Sequence, residues 1–384
     1  MSYTLLYNCR IFTGKTFIQN GAVLLKNDKI AHVFHGTGSD EEYANRIDLN
    51  GAWVTPGFID THIHGFNGCE ALDATADALK NMSLNLARFG TTGFFATLSR
   101  LTNDKNELLC AVKIIADVIG HEQGARILGI HLEGPFLSHA KKGAQPTKGI
   151  IPIDIAYLTD LWHASNGTIK SITVAPELDN LEQLAAFCAD NGIVMQAGHT
   201  NATYEQMQKA FDLGILHATH FYNGMSGLHH RTPGVVGAIL DNDAASCEII
   251  ADGHHVHPAA LRIVRRCKPE DKIILVTDSL KMTKQNIKSA MVDGEEICLD
   301  GAFYKKQSGT LVGANISMAD GVKNLVAFGF PLKSALMAAT GNPAKLFNLK
   351  GYGFIQKGYF ANLSVLDDNL NVKMCFVHGS KIQG

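Results

Sequence analysis

At 384 residues, with 46% hydrophobic and 18% charged side chains, the chain is long enough to bury a large core and too apolar for extended disorder. Its formal net charge of -2 gives no electrostatic reason to expect nucleic acid or an anionic membrane as a partner, so any bound anion must be held by local groups. The opening MSYTLLYNCRIFTG lacks a basic segment leading into a long apolar one, and no later run approaches the roughly 20 apolar residues of a membrane span, so a cytoplasmic protein is expected.

From Tyr3 to Val33, short β-rich stretches (YTLLYN, RIFTG, AVLLK, KIAHVF) alternate with Gly, Asn and Asp turn signals, without a helical period. The tail beyond about Gly358 behaves alike, as FANLSVLD and VKMCFVHGSKI. Two β-rich ends around a differently patterned middle predict that residues 1–54 and 351–384 together build a small β-sandwich domain. Within 55–350, the apolar runs GFIDTHI, TGFFATL, ILGIHL, SITVAP, IVMQAGH, HATHF, EIIADG and KIILVTD alternate with helix-period segments such as ADALKNMSLNLARF, NELLCAVKIIADVI, NLEQLAAFCADN and YEQMQKAFDLG. That is the alternation of an α/β fold of the (β/α)8 barrel type. A doubly wound sheet would want a glycine-rich phosphate loop after its first strand, where GFIDTHIHG offers histidines instead.

Metal-ligand side chains sit at or just past the ends of these runs: His62 and His64, Glu133, His199, His220 and Asp278. Residues two apart on a strand point to one face, so His62 and His64 can share an ion, although among 17 histidines an HxH pair alone says little. Glu133 ends ILGIHL before a Gly-Pro break, and His199 and His220 are each followed by rim-type residues. Asp278 after IILVT suits either a helix N-cap or a catalytic carboxylate, and the company of the histidines favours catalysis. His131 and His217 read as structural neighbours of the set, as do His254 and His257. Imidazole and carboxylate donors suit divalent Zn, Fe, Co or Mn, ions that lower the pKa of bound water to about 7 and stabilise an oxyanion. An adjacent carboxylate that collects the water's proton and returns it to a leaving amine completes the requirements of amide hydrolysis. Eight cysteines without a CxxC pair read as reduced thiols, each a small buried hydrophobe.

In this order, TPGFIDTHIHG, HLEGPF, AGHTNAT, THFYNGM, RTPGVVGA, ADGHHVH, VTDS and GTLVGANISM closely resemble the N-acetylglucosamine-6-phosphate deacetylase family of the amidohydrolase superfamily, over nearly the whole chain. The resemblance implies that Glu133, His199 and His220 bind the main catalytic metal and that Asp278 is the general base and then acid. It also implies that His62 and His64 support a second metal, with Glu133 bridging, so one or two divalent ions per subunit are expected. Relatives that bridge two metals with a modified lysine differ here, since ILGIHLEGPF has no lysine. For a sugar phosphate substrate, the resemblance points to the amides around Asn223 and Gly224, to Arg231 and His255, to Ala144 and Gln145 of GAQP, and to Leu311 and Val312 of GTLVGANISM. It implies a homodimer in which Arg231 reaches the neighbouring site. Gln145 stands where some relatives carry His; it can donate a hydrogen bond but no proton. An N-acetylgalactosamine-6-phosphate deacetylase, or a catalytically dead sugar-phosphate sensor on the same fold, are the alternative readings.

Overall fold

In the computed structural model, which describes residues 3–36, 45–292 and 294–383, both β-rich ends enter one eight-stranded sheet. Tyr3–Phe12 pairs antiparallel with Phe17–Lys26, which in turn pairs with Lys29–His35. On its other edge Tyr3–Phe12 takes Asn45–Asp48 over its first half and Trp53–Pro56 over its second, both parallel. Register shifts between Leu6 and Ile11 bend the strand where it changes partner. Leu363–Leu366 then pairs antiparallel with Trp53–Pro56, and Val372–Val377 follows on its far side. One apolar cluster draws Leu6, Ile11, Val23 and Val54 together with Leu363 and Phe376, so the two ends share a core. The expected small β domain built from both termini is thus present, its strands joined in one continuous ladder.

Gly57 joins this sheet to the barrel. Its N–H donates to the Asn362 carbonyl, and an added Cβ would lie 2.1 Å from Thr92 Oγ1, so only glycine fits the crossing. The barrel strands β1 (Phe58–Ile63), β2 (Thr91–Ser99), β3 (Arg126–Glu133), β4 (Ile169–Val174), β5 (Val194–Ala197), β6 (His217–Ala218), β7 (Ser246–Ile250) and β8 (Ile273–Val276) pair in parallel and in chain order. Every residue of β1, β2, β7 and β8 is buried, because a parallel strand is covered on both faces. Helices Ala76–Arg88, Asn106–Val118, Leu181–Asn191 and Tyr204–Asp212 lie where the apolar period places them. Thr203 and Gln206 form a capping box that starts the last of these.

Among the described residues no ladder joins β8 to β1. The seam closes through side chains and loop amides instead: Asp278 N–H donates to His62 O at 2.9 Å, and Asp60 accepts from Thr277 Oγ1 at 2.6 Å and Thr277 N–H at 3.3 Å. Burial pushes the Asp60 carboxyl up to about 7, against the lowering effect of the Thr277 hydrogen bonds.

Three expectations change. The stretch after β8, where the apolar runs predict no further strand, contains a four-stranded antiparallel sheet, Ser289–Val292, Glu295–Asp300, Ala302–Lys305 and Leu311–Ala314. Its strands are short and mostly half exposed, so they lack the buried-run signature, and Asp293-Gly294 and Asp300-Gly301 are their plain hairpin signals. The HATHF strand stops at Ala218, because His220 and Tyr222 adopt φ values of 26° and 80° that turn the backbone out of the ladder. All eight cysteines are free, but Cys110 and Cys267 are exposed and Cys69 and Cys298 only partly covered, so the all-buried expectation holds for Cys9, Cys188, Cys247 and Cys375 alone. Among the described residues no helix is long and apolar enough to cross a membrane.

Candidate metal centre and active site

The six ligand candidates, far apart in sequence, converge at the C-terminal end of the barrel. They form two groups, His62, His64 and Asp278, and Glu133, His199 and His220; within each group the donor atoms lie within 4.8 Å of one another. Glu133, the last residue of β3, stands between them. Its Oε1 is 3.1 Å from His199 Nε2 and 3.0 Å from His220 Nε2, and 3.5 Å from His62 Nε2, while Oε2 is 3.3 Å from His64 Nε2. Asp278 Oδ1 faces His62 and His64 at 3.5 and 3.4 Å. His199, His220 and Asp278 all have positive φ (45°, 26° and 51°), a conformation that costs a non-glycine residue of order 1–3 kcal/mol and is typical of functional positions. Gly143 and Gly224 leave room for the His199 ring, since a Cβ on either would stand 3.3 or 3.1 Å from it.

The donor set fits a divalent cation. His199 Nδ1–H donates to Lys141 O at 3.0 Å and His62 Nδ1–H to Glu248 at 2.9 Å, which turns Nε2 of each ring toward the carboxylates. His62 Nε2 is buried without a hydrogen-bond partner, an orphan that a metal ion would satisfy. Without an ion, protons supply the positive charge. Burial lowers the His62 pKa, but the charges of Glu248 and Asp278 outweigh it and hold the ring well above its ordinary value. For His64, hydrogen bonds to Asp278 and Glu133 win over burial and raise it to about 9. Burial raises Glu133, but the hydrogen-bonding rings of His199 and His220, with His62 and His64 close by, bring it well below the ordinary carboxylate range. Asp278 is lowered in the same contest, chiefly by the His62 charge.

A cavity of about 980 Å³ opens above these groups. Of the sites anticipated for substrate, Ala144, Gln145, Asn223, Gly224, His255, Leu311 and Val312 line it. Arg231 does not: it is exposed, and its Nη1 lies 2.9 Å from His230 Nε2. Gln145 Nε2 donates to Glu133 Oε2 at 2.5 Å and to Ser99 Oγ at 3.0 Å. The backbone and side-chain amides of Asn223 both donate to His220 O, so this turn braces the histidine as well as facing the cavity. His255 Nδ1–H donates to Asp252 at 2.6 Å; burial lowers the ring's pKa, and the Asp252 hydrogen bond and charge more than reverse that.

Sequence reading missed several participants. Lys142, Lys148, Lys281 and Lys305 add cations to the cavity wall, and Glu248 on β7 lies fully buried beneath the histidines. Glu248 carried a detectable signal as a carboxylate within the apolar run CEIIADG. His131 is buried against Thr173 Oγ1 at 2.8 Å; burial and the neighbouring His62 charge lower it to about 3, as befits a neutral core group. His217 bonds Ser246 Oγ at 2.7 Å, and neither histidine joins the ligand groups.

A sequence profile of the Amidohydrolase family matches residues 53–382, and one of the NagA composite domain matches residues 3–54. The N-acetylglucosamine-6-phosphate deacetylase of Vibrio furnissii is 32% identical over 381 residues, covering 96% of this chain and 92% of that one. The N-acetylgalactosamine-6-phosphate deacetylase of Escherichia coli O157:H7 is 34% identical over 329 residues, 85% of this chain and 86% of its own. Among solved structures, a mutant N-acetyl-D-glucosamine-6-phosphate deacetylase from Mycobacterium smegmatis in complex with N-acetyl-D-glucosamine-6-phosphate superposes with a TM-score of 0.92 at 30% identity, covering 100% of both chains. The enzyme of the same name from Pasteurella multocida gives 0.92 at 31%, with the same coverage.

Proposed function

Since the chain belongs to the amidohydrolase family and groups within it with the N-acetylglucosamine-6-phosphate deacetylases, we propose that it hydrolyses the acetamide of N-acetylglucosamine 6-phosphate, giving glucosamine 6-phosphate and acetate. The observation that carries the reading is the meeting of two metal-ligand groups on Glu133 at the floor of a cavity large enough for a sugar phosphate.

Glu133, His199 and His220 would hold one divalent ion, and His62, His64 and Asp278 a second, with Zn, Fe, Co or Mn all suited to the donors. The metal, when bound, supplies Lewis acidity that activates water and polarises the amide carbonyl. Asp278 takes the proton from water as the new carbon–oxygen bond forms, then delivers it to the nitrogen as the carbon–nitrogen bond breaks. Its depressed pKa keeps it ionised and ready to accept. Gln145 donates to Glu133 and carries no titrating proton, so the proton inventory rests on Asp278. His255 and the turn at Asn223 and Gly224 line the wall and receive the phosphate, with Leu311 and Val312 covering the acyl side and Ala144 beside Gln145. Arg231, absent from its own cavity, would reach the site of a second copy in a homodimer. Eight unpaired cysteines suit a reducing cytoplasm.

Acetate release from N-acetylglucosamine 6-phosphate, measured with each of these metals added to folded, metal-free protein, is the test; no turnover with any of them refutes the reading. The similarity to the E. coli O157:H7 enzyme favours a second substrate, N-acetylgalactosamine 6-phosphate, and competition between the two epimers in the same assay ranks them.

A further inference from the structure

Glu248 is fully buried on β7 and does not line the cavity, so it touches neither substrate nor the reacting atoms. A lone buried carboxylate is costly, several kcal/mol even after relaxation, unless hydrogen bonds compensate it. Its bonds are specific. Oε2 accepts from His62 Nδ1–H at 2.9 Å and from the main-chain N–H of His220 at 3.1 Å, while Oε1 faces His217 Nε2 at 3.6 Å. One oxygen therefore serves a member of each ligand group.

A neutral imidazole has one N–H and one lone pair, so whichever nitrogen donates leaves the other to bind metal. We propose that Glu248 is the positioning residue that makes His62 a metal ligand: by accepting from Nδ1–H it aims the Nε2 lone pair at the space shared with Glu133 and Asp278. His64, two residues on, has no such carboxylate behind it; both its ion-pair contacts use Nε2 and lie on the metal side. The occupancy of the His62, His64 and Asp278 position is therefore governed by a residue outside the ligand set. Its second bond, to His220 N–H, fixes the turn that carries the other group, but through the main chain and not through the ring.

The inference rests on the reading that two ions bind. Its test is a titration of metal-free protein with Co(II), following the number of ions bound and the affinity of each. In wild type, two ions are expected. Glu248→Leu should weaken the second by about 10 to 100-fold, the usual cost of losing an outer partner of a ligating histidine, and leave the first within a few-fold. Glu248→Gln keeps an acceptor oxygen for Nδ1–H and should restore much of the second-site affinity, a rescue that mere space-filling would not predict. A single ion in wild type overturns the two-ion reading and this inference with it; two ions in wild type and an unchanged second affinity in Glu248→Leu overturn the inference alone. If Glu248→Leu does not fold, the ring 15N shifts of His62 in the metal-loaded wild type decide the matter. Nδ1–H with metal on Nε2 supports the inference, and the opposite tautomer sinks it.

Discussion

The main-chain N–H of Asp278 donates to the carbonyl of His62 at 2.9 Å, so the seam between the last and first barrel strands is tied at two residues whose side chains also face each other in the site. A carboxylate anchored this way has little freedom to wander, which suits a group that must collect a proton and return it across a short path. Asp278→Asn should cut kcat by about 10²- to 10⁴-fold, the range for losing a general acid or base, while substrate binding stays close to wild type. A variant that turns over near the wild-type rate would remove Asp278 from proton transfer.

Arg231 is exposed and outside its own cavity, so its effect should depend on a second copy. Arg231→Ala is expected to raise KM by about tenfold or more, the scale of a hydrogen bond to a charged group, and to lower kcat less. Steady-state kinetics alongside sedimentation checks both halves. An unchanged KM in a dimeric variant would exclude it from the phosphate site.

His255 gives a pH dependence whose sign follows from its surroundings. The ring faces Asp252 directly and feels the charge of Asp278, and together these raise its pKa despite burial. Under the proposed role in holding phosphate, its cationic form, and with it phosphate affinity, should be retained below the raised pKa and lost as pH climbs through it. Asp252→Asn should move that limb of the KM profile toward acid. The phosphate's own titration near about pH 6 stays put and serves as the internal reference.

Metal uptake should expel protons. The neighbouring carboxylates raise His64 to about 9 and hold His62 above its ordinary value, which favours the protonated rings, and a protonated ring must lose its proton to ligate. Calorimetry of Zn(II) binding in buffers of different ionisation enthalpy should report net proton release, with affinity falling as pH drops. Chelation should abolish turnover and lower Tm, both recovering when metal is restored. Zero proton release would mean that the rings are already neutral before the metal arrives.

The barrel was legible because its signals are local. A parallel strand covered on both faces is largely apolar, and His62, His64, Glu133, His199, His220 and Asp278 fall at or just past the ends of such runs in the bare sequence. The outer sheet at 289–314 was marked only by its Asp-Gly turns, since four-to-six-residue, half-exposed strands give no such contrast. Glu248 was hidden for another reason: whether a carboxylate inside CEIIADG sits under a histidine depends on β7 closing against its neighbours, not on the residues beside it.

By itself, the sequence determined the alternation of strands and helices, the terminal sheet, and the six side chains at the strand ends. Only the tertiary structure decided that Glu133 stands between the two ligand groups, that Glu248 lies against His62 Nδ1, and that Arg231 misses its own cavity. The division is physical: periodicity and burial are encoded over a few neighbouring residues, whereas a shared carboxylate or a ring's orientation exists only once distant strands are brought within hydrogen-bond reach.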